Sequence, residues 1–164
     1  MIEVLVVVAI LAVLARISLP AYNTYRNKGY MAEAFALLQP FQKRVEERCN
    51  MDIGGGNYDV FGTGSAGGLT DAAGNAINFA NLSKALGGVQ WFYNTSGSPP
   101  YFLLQFNAAN FPATNGIDSS YLLLYMVDNG NCNISWVCQN HPTAQYQFTA
   151  TYLPKFCSAN TYGR

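Results

Sequence analysis

A glutamate stands at position 3 of a run that is otherwise apolar from Met1 to Ala15, an arginine ends that run at 16, and a proline follows at 20. A carboxylate among apolar groups is costly and is kept for a role, which in such a medium means meeting a cation or strong donors. Arg16 has a stem long enough to carry its charge out to an interface. Pro20 removes one helical hydrogen bond and crowds the preceding turn, so it kinks or loosens a helix there. The remaining residues with chemistry of their own are Cys49, Cys132, Cys138, Cys157 and the single histidine, His141. No C-x-x-C pair occurs and one histidine completes no ligand cluster, so two disulfides in an oxidising compartment are expected in place of a zinc site. Four cysteines allow three pairings, and composition does not choose among them. His141, between Asn140 and Pro142, reads as a surface-loop residue. The glycines at 54–56, 62 and 64 lack the strand-before, helix-after setting of a phosphate loop. No acid/base or metal constellation appears, so neither catalysis nor a cofactor is expected.

The elements that must position these residues begin with a helix. MIEVLVVVAILAVLARISL is apolar on every side, and at about 1.5 Å per residue it would be just under 30 Å long, near the thickness of a bilayer core. Such a surface needs lipid or a crowd of similar helices. A cleaved signal peptide fits less well, because no basic segment leads the run and no A-x-A-like site follows it. Helical patterning resumes after Pro20. Met31, Phe35, Leu38, Phe41 or Gln42, Val45 and Cys49 recur at steps of three or four, while Lys28, Glu33, Lys43, Glu46 and Glu47 fall mostly off that stripe. The first 49 residues therefore read as one long helix, with Pro40 a second candidate kink.

Charge narrows the function classes. Nine basic and nine acidic residues cancel, and only 11% of the chain is charged, which favours self-association over repulsion. Residues 49–164 carry Lys84, Lys155 and Arg164 against Asp52, Asp59, Asp71, Asp118 and Asp128, so the basic stripe of a nucleic-acid binder is missing.

Residues 50–88 are glycine-rich and lose any period, which predicts a surface connection with a short helix near 78–86. Aromatic and apolar runs then predict strands at 89–95, 101–106, 121–127, 134–138 and 146–152, with a tight turn at DNGN 128–131. Short neighbouring strands joined by turns imply an antiparallel meander, with the amphipathic half of the helix on one face. Asn81, Asn94 and Asn133 each open an N-x-S triplet, a weak glycosylation signal.

The segment IEVLVVVAILAVLARISLPAYNTY is similar to the N-terminal signature of type IV pilins and pseudopilins: a glutamate in an apolar start, a proline seventeen residues later, and the Pro20-Ala21-Tyr22-x-x-Tyr25 tail. The strict match covers about 25 residues. Mature members begin two residues further upstream relative to the glutamate, so a missing dipeptide is expected and N-terminal methylation is not assigned to Met1.

The resemblance implies an α+β fold: a long N-terminal helix with a hydrophobic protruding half and an amphipathic half, packed on a four- to five-stranded antiparallel sheet, with a disulfide-bounded C-terminal loop. It divides the chain into a membrane or filament-core helix, 1–26, and a head, 27–164, comprising helix 27–49, connection 50–88, sheet 89–152 and loop 138–157. Tyr152-Leu153-Pro154-Lys155-x-Cys157 resembles the close of that loop in type IVa pilins, which implies a Cys138–Cys157 bridge and leaves Cys49 for Cys132.

The function implied is a structural subunit that polymerises into a pilus for adhesion, motility or DNA uptake. The alternative is a minor pilin or type II secretion pseudopilin that primes or tips such a fibre. The implied partners are identical subunits, the inner membrane before assembly, the pilus assembly machinery and a prepilin peptidase; the implied destination is the cell surface. Glu3 would neutralise a neighbouring subunit's terminal amine. In the fibre, residues 13–20 would unwind around Pro20, with Arg16 bonding freed carbonyls or a neighbour's carboxylate.

Overall fold

The computed structural model describes residues 2–51, 60–61, 66–93, 99–108, 111, 120–143, 146–148 and 153–158, with backbone alone at 17–21 and 23. Helix α1 runs from Ile2 to Met51 and stays helical through both Pro20 and Pro40, so neither proline breaks it in the single subunit. Its two halves differ as the sequence does. Ile2 to Arg16 are exposed on every side, whereas Asn27, Met31, Ala34, Leu38, Val45 and Cys49 form a buried stripe. Phe35 and Phe41, expected in that stripe, flank it half-buried, and the small Ala34 takes the centre of the contact.

Among the described residues no helix is long and apolar enough to cross a membrane. The span expected over 1–26 includes Met1 and the side chains of 17–21 and 23, which lie outside the described residues.

The sheet has the order β1-β2-β3-β4-β5-β6. Its centre is an antiparallel meander of β2 (Leu86–Phe92), β3 (Tyr101–Phe106), β4 (Tyr121–Asp128) and β5 (Ile134–Asn140). The three-residue β1 (Ala66–Gly68) extends it antiparallel at one edge, and β6 (Cys157–Ser158) runs parallel to β5 at the other. A four-residue helix, α2 (Phe79–Leu82), is capped by Asn78, whose side chain accepts from the Ala80 N–H. It is shorter than the helix expected near 78–86, because β2 already begins at Leu86, with a bulge between Leu86 and Gly88.

The strand expected over 146–152 is corrected. Tyr146–Phe148 are not in a strand, and 149–152 lie outside the described residues. So do the glycines of 54–56 and 62–64 and the triplet at Asn94.

Alternation along the strands directs Trp91, Phe102, Leu104, Phe106, Leu122, Leu124 and Met126 into one core with the stripe of α1. Phe41 joins it through ring contacts with Phe61 and Phe79 at 6.1 and 5.8 Å between centroids. The turn from β4 to β5 places Gly130, Asn131 and Cys132 at positive φ. Glycine and asparagine adopt that conformation readily. Cys132 is held in it by its bridge to Cys49.

Candidate assembly surface

The exposed half of α1 is an apolar cylinder with one charge near each end. Glu3 lies in the first turn of the helix, where the positive end of the helix dipole favours a carboxylate. Arg16 lies thirteen residues on, about 20 Å along the axis at helical rise. One rigid helix therefore keeps the two apart: they cannot neutralise each other within a subunit. Between them, nine large aliphatic side chains from Val4 to Leu14 are each 52–69% exposed. An apolar surface of this extent marks a site of association. Pro20 lies further along the same helix, with only its backbone described.

The four cysteines are all paired, as Cys49–Cys132 and Cys138–Cys157, with Cα separations of 5.7 and 4.4 Å. The first bridge ties the end of α1 to the β4–β5 turn, and the second joins residues directly opposite each other in β5 and β6. They staple the head at both ends of β5.

Three further ties escaped sequence reasoning. Trp136 Nε1 donates to Glu46 Oε1 at 3.2 Å, linking β5 to α1. Arg44 Nη1 donates to the carbonyls of Thr70 and Asp71 at 3.1 and 3.4 Å, and its guanidinium lies over the Phe61 ring. Buried Asn140 accepts from the Phe148 N–H through Oδ1 and donates to the Phe148 carbonyl through Nδ2, at 2.9 and 3.1 Å. No periodic pattern signals such contacts, because each joins residues whose own segments obey other rules.

His141 sits at the mouth of that Asn140 loop, its ring 5.1 Å from Tyr146 and 5.9 Å from Tyr121. It is half-buried, where a free surface-loop position was expected, and burial holds its pKa below the ordinary value. Its Nδ1 accepts from the Thr143 N–H at 3.1 Å. Among the described residues no group of histidines, cysteines and carboxylates could hold a metal ion. On the other face of the sheet, Phe92, Tyr101 and Tyr125 form a cross-strand row with centroid spacings of 4.9 and 5.2 Å. Burial raises the pKa of both tyrosines, and for Tyr125 the neighbouring Tyr101 adds to it. Asp71 is held below the carboxylate value, first by the Asn75 side-chain amide and then by backbone N–H groups of its own turn.

No family model matches the chain, and no solved structure matches it.

Proposed function

We propose that this chain is the structural subunit of a type IV pilus-like filament, polymerising through the first half of α1. The observation that carries the reading is the all-round exposure of Ile2–Leu14 on a helix whose other half is committed to a disulfide-stapled head. An apolar cylinder of this kind is covered either by lipid or by copies of itself. Because the head occupies only one end of α1, a copy reaches the cylinder by stacking along it. The interface is then heterologous and generates a helical fibre. The near-absence of net charge supports close packing of heads.

In this reading the subunit waits at the inner membrane with its apolar half in lipid, is processed by a prepilin peptidase, and is moved by the assembly machinery into a fibre on the cell surface. Glu3 is the single acid of the cylinder and draws a cation from a neighbour. Arg16, exposed in the lone subunit, loses its water in the fibre. The helix is intact at Pro20 in the subunit, so unwinding near 13–20 takes place on assembly, when Arg16 and neighbouring groups supply partners to the freed carbonyls. No catalytic step is assigned to the chain.

Electron microscopy of surface fibres sheared from the cells, with mass spectrometry of their subunits, tests the reading. This chain should be the dominant component. Its absence from fibres overturns the proposal, and its presence only as a trace component assigns it to the priming or tip class.

A further inference from the structure

A groove lies on the head between α1 and the turn that precedes Cys157. It encloses about 660 Å³. Its walls are Met31, Ala32, Phe35 and Ala36 from the helix, and Leu153 and Phe156 from the turn. Phe156 stands 65% exposed, held edge-on against Phe35 at 4.9 Å. An aromatic ring left this open at the lip of an apolar groove has the character of an interface anchor. Ala32 and Ala36 are exposed one helical turn apart, and small residues at this spacing let a second helix approach closely. Lys28 and Lys155 also line the groove, and among the described residues no acidic one does.

We infer that this groove is the seat for the apolar half of α1 from a second copy of the chain. The inference rests on the filament reading and names its contact. Three features of the incoming helix match the seat. Its surface from Val4 to Leu14 is apolar and exposed, as the groove walls are. Its single acid, Glu3, complements the cationic Lys28 and Lys155 of the groove. Its length also fits: Lys28 to Gln39, which bound the helical wall, span the same number of residues as Glu3 to Leu14, about 17 Å in each case.

Charge sets the direction. With the two helices parallel, Glu3 arrives at the Lys28 end of the wall; with them antiparallel, it moves to the Gln39 end, a wall length away from Lys28. The parallel seating displaces each copy from its neighbour along the axis by the distance from Glu3 to Lys28. All subunits then point the same way, as a helical fibre requires.

A photo-reactive p-benzoylphenylalanine in place of the exposed Phe156 tests the seat in the full-length protein in its own cells. Irradiated fibres should yield cross-linked dimers whose second partner maps to residues 2–16. The same variant dispersed in detergent should yield at least tenfold fewer. Cross-links that reach only the neighbouring head, lipid or a small molecule, or no dimers from intact fibres, would overturn the seat while leaving the filament reading standing. If the unmodified chain forms no fibres, the filament reading fails and the seat with it. As an independent check, Ala36→Arg fills the groove at an exposed position. It should lower fibre yield at least tenfold with both disulfides still recovered. Normal yield from a correctly bridged Ala36→Arg subunit would also overturn the seat.

Discussion

Trp136 donates its indole N–H to the carboxylate of Glu46 across 3.2 Å, joining residues 90 positions apart. One turn further along α1, Cys49 makes the covalent tie to Cys132. Polar and covalent ties thus lie on one face of the helix, side by side. Trp136→Phe keeps an aromatic ring near Phe102 but leaves Glu46 without this donor. It should cost about 1 kcal/mol, the net worth of a half-exposed hydrogen bond to a charged group, and lower the melting temperature by a few degrees. Glu46→Gln retains an acceptor and should cost less. Thermal unfolding followed by near-ultraviolet circular dichroism makes the comparison, and equal losses in the two variants would show that the charge, not the acceptor, matters.

Asn140 is 6% exposed and makes both of its Phe148 contacts inside the head. Asn140→Ala strands the Phe148 N–H and carbonyl, so a loss of about 2–3 kcal/mol is expected. Hydrogen exchange should show the Phe148 amide losing protection while the β3–β4 ladder keeps its own. Unchanged protection at Phe148 would mean that another group satisfies it.

The bridges close stretches of different length, with sequence separations of 83 for Cys49–Cys132 and 19 for Cys138–Cys157. Chain entropy then assigns them about 4.5 and about 3 kcal/mol. Cys49→Ser should therefore destabilise more than Cys157→Ser, and both should reduce fibre yield. Denaturant unfolding of the two variants gives the order. Peptide mapping without reduction should recover only these two pairs.

Glu3→Ala leaves the apolar cylinder otherwise intact. The subunit should reach the membrane fraction at wild-type level, and fibres should fall to a few per cent. Fractionation and fibre counts by electron microscopy read both quantities in one culture. Normal fibre numbers would remove Glu3 from assembly.

His141 provides a pH signature. Burial depresses its folded pKa, so neutral His141 is favoured in the native state. Its stabilising contribution is complete above the unfolded value near 6.5 and is lost as pH falls below that towards the folded value. The melting temperature of the head should decline on acidification from pH 7 to 5, and His141→Asn should flatten the decline. Asp71 also has a lowered pKa, but its contribution is lost only below about 4, so the two windows separate.

Much of this architecture is a local property, and local properties are legible in residue order. The double character of α1 follows from where its apolar residues cease to surround the axis and begin to recur at three and four. Strands β3 and β4 follow from apolar runs bounded by turn residues, and the β4–β5 turn from DNGN. The charges that bound the exposed apolar half of α1, Glu3 and Arg16, were visible because nothing else in their segment is charged.

Tertiary structure decided what depends on proximity. Residue types alone left three cysteine pairings open, and the folded chain brings two pairs within bonding distance. Ala34 displaces Phe35 from the buried stripe because a helix lying against a sheet needs its smallest residue at closest approach. The alternation that suggested a strand at 146–152 fails at Phe148, whose N–H and carbonyl are both taken by the Asn140 side chain. A backbone pair already satisfied there leaves no ladder partner to offer a neighbouring strand. The edge beside β5 goes instead to Cys157 and Ser158, which the Cys138 bridge holds in register. The groove at Phe156 was equally invisible in the sequence. Its two walls are more than a hundred residues apart in the chain, and only burial of the α1 stripe against the sheet brings them together.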